Sequence, residues 1–312
     1  MTNSLYAKVF QDDKMTDAPA SIGVIGEPYI DDMNKRVKYF CTKTLISPEE
    51  VHKEFNKAID MMKESNMTRV SMRSLVDFDY ESDFVEAKIP IINKGKHMVY
   101  LGFLERERKS DSHILKLEDM SVESVLSSKK KTYHDLEGFT LTRLHHEMAD
   151  QSLITDMVSL FNKSYGSYLI QLDEDQVKEM INGSRVYVAI DNHTGRVVSS
   201  VTGETAEIDG DEKIELCEVS EMATLRDYRG KGISTGLVGM LLREMENNRR
   251  IIYTESRACH LPINQLFANL NFRYGGRLEK HCVISGDKEI NEEGPYENLN
   301  VWYRNEEGEK NG

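Results

Sequence analysis

Cysteine is scarce: the 312 residues hold four, at positions 41, 217, 259 and 282, and no two form a Cys-x-x-Cys pair. That spacing suits neither a disulfide framework nor a structural zinc site, so reduced and mostly packed thiols are expected. Apolar runs are short, and none approaches the ~20 residues needed to span a bilayer. The opening Met1-Thr-Asn-Ser-Leu-Tyr6 lacks the basic-then-apolar order of a secretory signal. No membrane partner and a cytoplasmic location are the resulting expectations. Positive charge is in deficit, with 40 Lys and Arg against 53 Asp and Glu, a net charge of −13. Such a surface repels nucleic acid, which binds through a basic face that releases counterions. It attracts a small cation modestly, although an acidic proteome adapted to a salty cytoplasm would carry the same charge. The run Lys129-Lys130-Lys131 is too short for a nucleic-acid patch and reads as a solvated linker. Metal spacing is missing too. His145 and His146 are adjacent on a strand and point to opposite faces, and His260 and His281 have no paired ligands, so no metal is expected.

What remains is an ordinary globular composition, 39% apolar and 30% charged, in a chain long enough for two domains. The N-terminal part reads as mixed α/β, with strands expected over 21–30, 36–41, 68–72, 84–89 and 98–104. Ser47-Pro48-Glu49-Glu50 announces a helix, with Ser as N-cap, Pro at the first helical position and acids in the first turn. Val51, Phe55, Ile59 and Met62 then fall on one face. From 105 to 138 the composition turns polar. A linker is expected there, with a short amphipathic helix over 117–126 as the alternative. The boundary falls near 130, giving a domain over 1–130 and another over 131–312. The Met-rich stretches (Met61-Met62, Met240, Met245) read as core filling.

The second half orders its elements clearly. Strands are expected over 139–144, 185–190, 197–205, 214–224, 251–256, 272–278 and 298–304. Helices are expected over 151–163, from the Asp173 cap to Asn182-Gly183, over 232–247 and over 262–270. The long strand at 214–224 runs into Arg229-Gly-Lys-Gly-Ile-Ser234 and then a helix. Gly230 and Gly232 let backbone N–H groups converge at the helix N-terminus, where unpaired donors and the positive dipole end favour a phosphate. The segment is not a P-loop, because Gly-x-x-x-x-Gly-Lys-Ser/Thr is absent. It is not a Rossmann fingerprint either, since the third glycine and its βαβ setting are missing.

In that position Arg229 to Ser234 resembles the Arg/Gln-x-x-Gly-x-Gly/Ala motif of the GNAT acetyltransferase superfamily, with Ser where Gly or Ala is usual. The resemblance covers about residues 139–304. It implies an α/β (α+β) protein: a C-terminal GNAT fold whose mixed, centrally splayed sheet is flanked by helices, plus a smaller N-terminal α/β domain. It also implies acetyl-CoA as cosubstrate. Turn amides from Arg229, Gly230, Lys231, Gly232, Ile233 and Ser234 would hold the pyrophosphate, and the strand edge at Ala223, Thr224 and Leu225 the pantetheine arm. Asn264 matches a position that often contacts the cofactor. A closer resemblance is carried by Thr254 to Ala258, Pro262 to Gly276, Ile284 to Gly286 and Glu297 to Tyr303, together with Phe84 to Pro90 and Met98 to Gly102. These segments resemble the β-lysine N-epsilon-acetyltransferases, which make a compatible solute in salt-stressed cells. The implied enzyme is an acyltransferase acting on a small cationic amine. Another diamine or polyamine, or a non-catalytic acetyl-CoA sensor, are the competing readings.

An alkylammonium with a pKa near ~10.4 needs a base before it can attack. Counting back from the turn places the family's base at Glu218, with Glu221 as second candidate. Alternation puts those two acids on opposite faces unless a β-bulge intervenes. The tyrosine that often protonates the leaving thiolate is replaced by Phe267, so no acid is named. Tyr165 and Tyr168, and Glu297 and Asn300 on the last strand, are the candidates for binding the acceptor. The N-terminal domain is open to reading as a degenerate half-GNAT unit that closes the acceptor pocket or forms a homodimer contact.

Overall fold

The computed structural model describes residues 26–91, 95–130, 136–165, 172–208, 214–245, 250–283 and 295–305. The expected strand over 21–30, the Ile284 to Gly286 segment and Tyr168 therefore fall partly or wholly outside the described residues. In the N-terminal part, β1 (Tyr29–Asp31) pairs antiparallel with β2 (Arg36–Leu45). Helix α1 (Pro48–Glu64) follows as expected: Ser47 Oγ accepts from the Glu50 amide at 3.3 Å, and Val51, Phe55, Ala58 and Met62 form its buried stripe. Strands β3 (Arg69–Val76), β4 (Val85–Ile91) and β5 (Lys96–Leu104) complete this unit.

Within the polar stretch expected to be a linker, the alternative of a helix over 117–126 is the one present, as the longer helix α2 (Ser112–Ser127). Its polar residues are employed. Glu118, almost fully buried, accepts from the Asn298 amide at 2.8 Å and pairs with Arg277 at 3.3 Å, while Asp119 takes a second Arg277 nitrogen at 2.7 Å. Val125 enters the core of the C-terminal unit. Composition hid the helix because its buried face is partly ionic.

The C-terminal unit runs β6 (Phe139–Leu144), α3 (Gln151–Ser164), α4 (Glu174–Gly183), β7 (Arg185–Asp191), β8 (Val197–Ile208), β9 (Ile214–Thr224), α5 (Ile233–Met245), β10 (Arg250–Arg257), α6 (Leu261–Asn269), β11 (Arg273–Val283) and β12 (Tyr296–Asn305). Asp150 and Asp173 cap α3 and α4, the latter through a reciprocal capping box with Gln176. Helices α5 and α6 cover one face of the sheet around Trp302 and Phe267. Helices α3 and α4 cover the other face at the β6–β8 end.

Among the described residues the twelve strands lie in one sheet of order 1-2-3-5-4-11-12-10-9-8-7-6. The order repeats itself. Strands 1-2-3-5-4 match 8-9-10-12-11 in sequence of pairing and direction, with β2 parallel to β3 as β9 is to β10, and the remaining neighbours antiparallel. The two sets meet edge to edge where Gly276 of β11 pairs with Ala87 of β4. Gly276 has φ +142°, and a Cβ there would sit 2.1 Å from the Glu86 carbonyl oxygen, so only glycine lets the edges close. The sheet then curls. The face of β2–β5 turned away from α1 packs onto β8–β12, and Phe40, Leu75, Ile89 and Tyr100 share a core with Leu216, Ile251, Tyr253, Val301 and Tyr303.

The repeat departs from itself at its parallel pairs. Strands β2 and β3 stay paired to their ends at Leu45 and Val76. Strands β9 and β10 pair only from Glu215/Arg250 to Glu218/Tyr253 and then part. Among the described residues no helix is long and apolar enough to cross a membrane.

Candidate active site

The site begins at the turn after β9. A single 3-10 turn over Arg226–Tyr228 leads to Gly230 and Gly232, at φ +77° and +83°, and Ile233 opens α5 with its side chain in the core. Both glycines hold a left-handed backbone that other residues adopt at a cost. A Cβ on Gly230 would meet nothing within 4 Å, so the space above the turn is open. The first amides of α5 have no acceptor within the helix and point with its positive dipole end. Ser234 is placed by a hydroxyl chain: its Oγ lies 2.8 Å from Thr224 Oγ1, which lies 2.8 Å from Ser199 Oγ. Serine therefore replaces the small apolar residue of the motif with a tie to β9. Arg229 Nε donates to the Thr224 carbonyl at 3.1 Å, and the Lys231 ammonium sits 4.9 Å above the Tyr228 ring.

From this turn the strand runs back into a wedge. Beyond Glu218/Tyr253, β10 leaves β9 and continues beside β12. The Thr254 hydroxyl donates to the Val219 carbonyl at 2.8 Å, closing the wedge at its root. From Leu225 to Val219 the edge spans six residue steps, about 20 Å of extended chain. A β-bulge lies within it: the pairing of β9 with β8 shifts between Ser200/Ala223 and Thr202/Ser220, with Glu221 at φ +42°. The bulge that alternation required is thus present. Burial and the Glu221 charge push the Tyr165 hydroxyl up, and the Tyr165 ring stacks on Phe161 at 6.0 Å.

Glu218 sits at the wedge root on the inner, curled face. Its Oε2 accepts the Tyr253 hydroxyl at 2.9 Å, and Tyr253 in turn accepts from Arg73 Nη1 at 2.8 Å. Arg73 also lies 3.6 Å from Glu218 and 3.5 Å from Glu255. Glu204, which accepts the Ser220 hydroxyl at 2.6 Å, stands across on β8. Burial and the charges of Glu255 and Glu204 push the Glu218 carboxyl up to about 7, with Arg73 holding it down. Glu255, despite its burial, is held well below the usual carboxylate range by Arg73 and His281. The Tyr100 hydroxyl and Glu255 Oε1 have no hydrogen-bond partner among the described residues.

The remaining candidates divide. Glu297 is engaged by Arg257 through contacts of 2.6 and 3.0 Å, on the inner face of β12. Asn300 lies on the opposite face from Glu218, fully buried, donating to Asn264 Oδ1 at 2.9 Å. Asn264 is committed as well: its amide donates to the Arg257 and His260 carbonyls, and its oxygen takes Ser256, Asn300 and Trp302. Phe267 is buried against Phe272 and offers no proton. Sequence reasoning missed Arg73, Tyr253 and Glu255. A signal existed in the alternation of Arg69, Ser71 and Arg73 along β3, a polar row whose neighbours Val70 and Met72 are apolar. Among the described residues no group of three His, Cys, Asp or Glu side chains could hold a metal ion.

Residues 154–272, from α3 to the start of β11, match the family described as Acetyltransferase (GNAT) family. The chain is similar to N-acetyltransferase YodP of Bacillus subtilis (strain 168), 23% identical over 201 residues, 64% of this chain and 66% of that protein. Among solved structures, a ribosomal-protein-alanine N-acetyltransferase from Brucella melitensis aligns with TM-score 0.42 and 18% identity over 53% of this chain and 99% of its own. Arabidopsis thaliana NAA60 in complex with acetyl-CoA aligns with TM-score 0.42 and 14% identity over 53% and 97%. The glycine turn, the parted strands and the residues that match the GNAT family model fall on the same segment of the chain.

Proposed function

We propose that this chain moves the acetyl group of acetyl-CoA to the epsilon-amine of β-lysine, giving N-epsilon-acetyl-β-lysine, with Glu218 as the base. The observation that carries the transfer is the position of Glu218 at the last paired rung before β9 and β10 part. Backbone amides of Arg229 to Ser234 and the α5 N-terminus fit a pyrophosphate, and the open space over Gly230 leaves room for it. The free edge at Ala223, Thr224 and Leu225 fits an amide-bearing arm running back toward Glu218. When bound, acetyl-CoA supplies a thioester already activated toward an amine. The chain's own contribution is then to take the ammonium proton, at Glu218 Oε, and to exclude water. Glu221, with Tyr165 and Tyr168, is assigned to the acceptor. Glu297 is assigned to orientation through Arg257, and Asn264 and Asn300 to holding α6 against the sheet.

A small acceptor is favoured by closure. The inner face around Glu218 is covered by β2, β3 and β5, leaving Glu218 6% and Arg73 3% exposed. A folded protein surface has no approach to that face. Charges of both signs line it, with Arg73 and Lys38 against Glu204, Glu218 and Glu255, which suits a zwitterion. The choice of β-lysine rests on the sequence resemblance. The repeat of strand order supports reading the N-terminal unit as a half-GNAT unit, divided from the rest by packing near Ser112, since α2 packs on the C-terminal unit. Among the described residues of that unit the cofactor features are not repeated: Ser47 and Pro48 stand where the glycines would, and β2 and β3 do not part.

Thiol release from acetyl-CoA, measured with β-lysine, α-lysine, spermidine and a lysine peptide, tests the reading. β-Lysine is expected to give the highest kcat/KM. A faster polyamine or peptide would replace the acceptor, and tight acetyl-CoA binding without turnover of any amine would leave a sensor.

A further inference from the structure

We propose that Arg73, supplied by the N-terminal unit, is a positioning residue for acetyl transfer, fixing the Glu218 carboxylate at the wedge root through the Tyr253 hydroxyl. The proposal rests on Glu218 being the base. Its direction follows from the donor inventory. A guanidinium only donates, so its 2.8 Å contact uses a lone pair of the Tyr253 oxygen, and the single phenolic proton is left for Glu218 at 2.9 Å. Arg73 therefore sets which way Tyr253 points its proton, and Tyr253 sets which lone pair Glu218 has left for an ammonium.

The guanidinium is itself held. Its central carbon lies 5.8, 5.5 and 5.8 Å from the ring centres of Phe40, Tyr100 and Tyr253, so it is boxed by aromatic faces from β2, β5 and β10. Its Nη2 has no hydrogen-bond partner among the described residues and lies 3.5 Å from Glu255. A cation buried this deeply is costly unless acids answer it. Here two do, one being the proposed base.

The charges around Glu218 give the proposal its readout. From β10 it is faced by Tyr253 and Glu255, from β8 by Glu204, from β2 by Lys38, from β3 by Arg73 and from β5 by Tyr100. His281 of β11, beside Glu255, is held well below its usual range by burial and Arg36 and stays neutral. Of the charges acting on Glu218, the Arg73 guanidinium is the strongest that favours its ionised form. Removing it leaves burial and two acids pushing the same way, so the carboxyl keeps its proton to higher pH.

The test is kcat/KM against pH at saturating acetyl-CoA, using β-lysine or the fastest amine of the panel, for the full chain and for E218Q, R73Q and Y253F. R73Q is expected to move the acid limb up by about 1 pH unit or more, which is about tenfold at pH 7. Activity should return at alkaline pH, and the KM for acetyl-CoA should stay within about twofold, since Arg73 lies far from the turn. Y253F should shift the limb the same way by less, and it decides the question if R73Q does not fold. A limb unmoved in the folded variants, with E218Q abolishing it, overturns the role of Arg73 and leaves Glu218 as base. Full activity and an intact limb in E218Q would instead remove the base assignment itself. A purely structural Arg73 would lower yield or melting temperature without moving the limb.

Discussion

Glu218 stands between opposed influences, burial and two neighbouring acids on one side and a buried guanidinium on the other. A carboxyl poised at about 7 can accept a proton only when ionised. The sign follows: below that value Glu218 is already protonated, so kcat/KM should rise with pH through the neutral range with unit slope. Glu218→Gln cannot titrate, so this limb should vanish and kcat should fall about 10²–10⁴-fold. A pH–rate profile of both proteins checks it, and a wild-type profile flat from pH 6 to 8 would argue against the base. Glu218 could be named as a candidate from the sequence because its distance from the glycine turn is a local count. Its partners were not. Arg73 meets Tyr253 across 180 residues of chain, a contact that no pattern along one strand announces.

Among the elements, the turn between β9 and α5 is the most demanding. Gly230 must hold φ +77° with nothing above it but the space that an anion would use. Gly230→Val is expected to strain the turn by about 1–2 kcal/mol and to crowd the pyrophosphate. The KM for acetyl-CoA should rise about tenfold or more, with kcat at saturation changed far less, because only ground-state and transition-state binding of the cofactor are lost together. Steady-state kinetics beside far-UV circular dichroism would separate lost binding from lost fold. Most elements were legible here: the caps at Ser47 and Asp173 mark real helix starts, and β9 has the expected bounds. Helix α2 was the exception. Glu118 and Asp119 lie in the stretch whose polarity suggested a linker, yet they answer Arg277 of β11, so that polarity belongs to an interface. The bulge at Glu221 was foreseen only as a condition, because a two-against-one pairing depends on the partner strand as much as on its own residues.

For the molecule as a whole, the shared core matters more than the single rung at Gly276/Ala87. Side chains from β2–β5 and β8–β12 bury one another, so neither half can open without exposing the other. Unfolding should therefore be one transition, with the fluorescence of Trp302, the only tryptophan, coinciding with the circular dichroism signal. Phe55→Ala, in the separate core between α1 and its sheet, should cost about 3–5 kcal/mol and move the Trp302 transition by the same amount. Two separated transitions, with Trp302 indifferent to Phe55, would show that the halves unfold independently.

The meeting of two like strand sets at β4 and β11 also bears on dilution. Edge-to-edge joints between separate chains come apart as protein concentration falls, and a site completed across them empties with it. Here both sets are on one chain, so the local concentration of Arg73 around Glu218 is set by the connecting segment and by the rung at Gly276. The complete constellation is present in every folded molecule, however few there are.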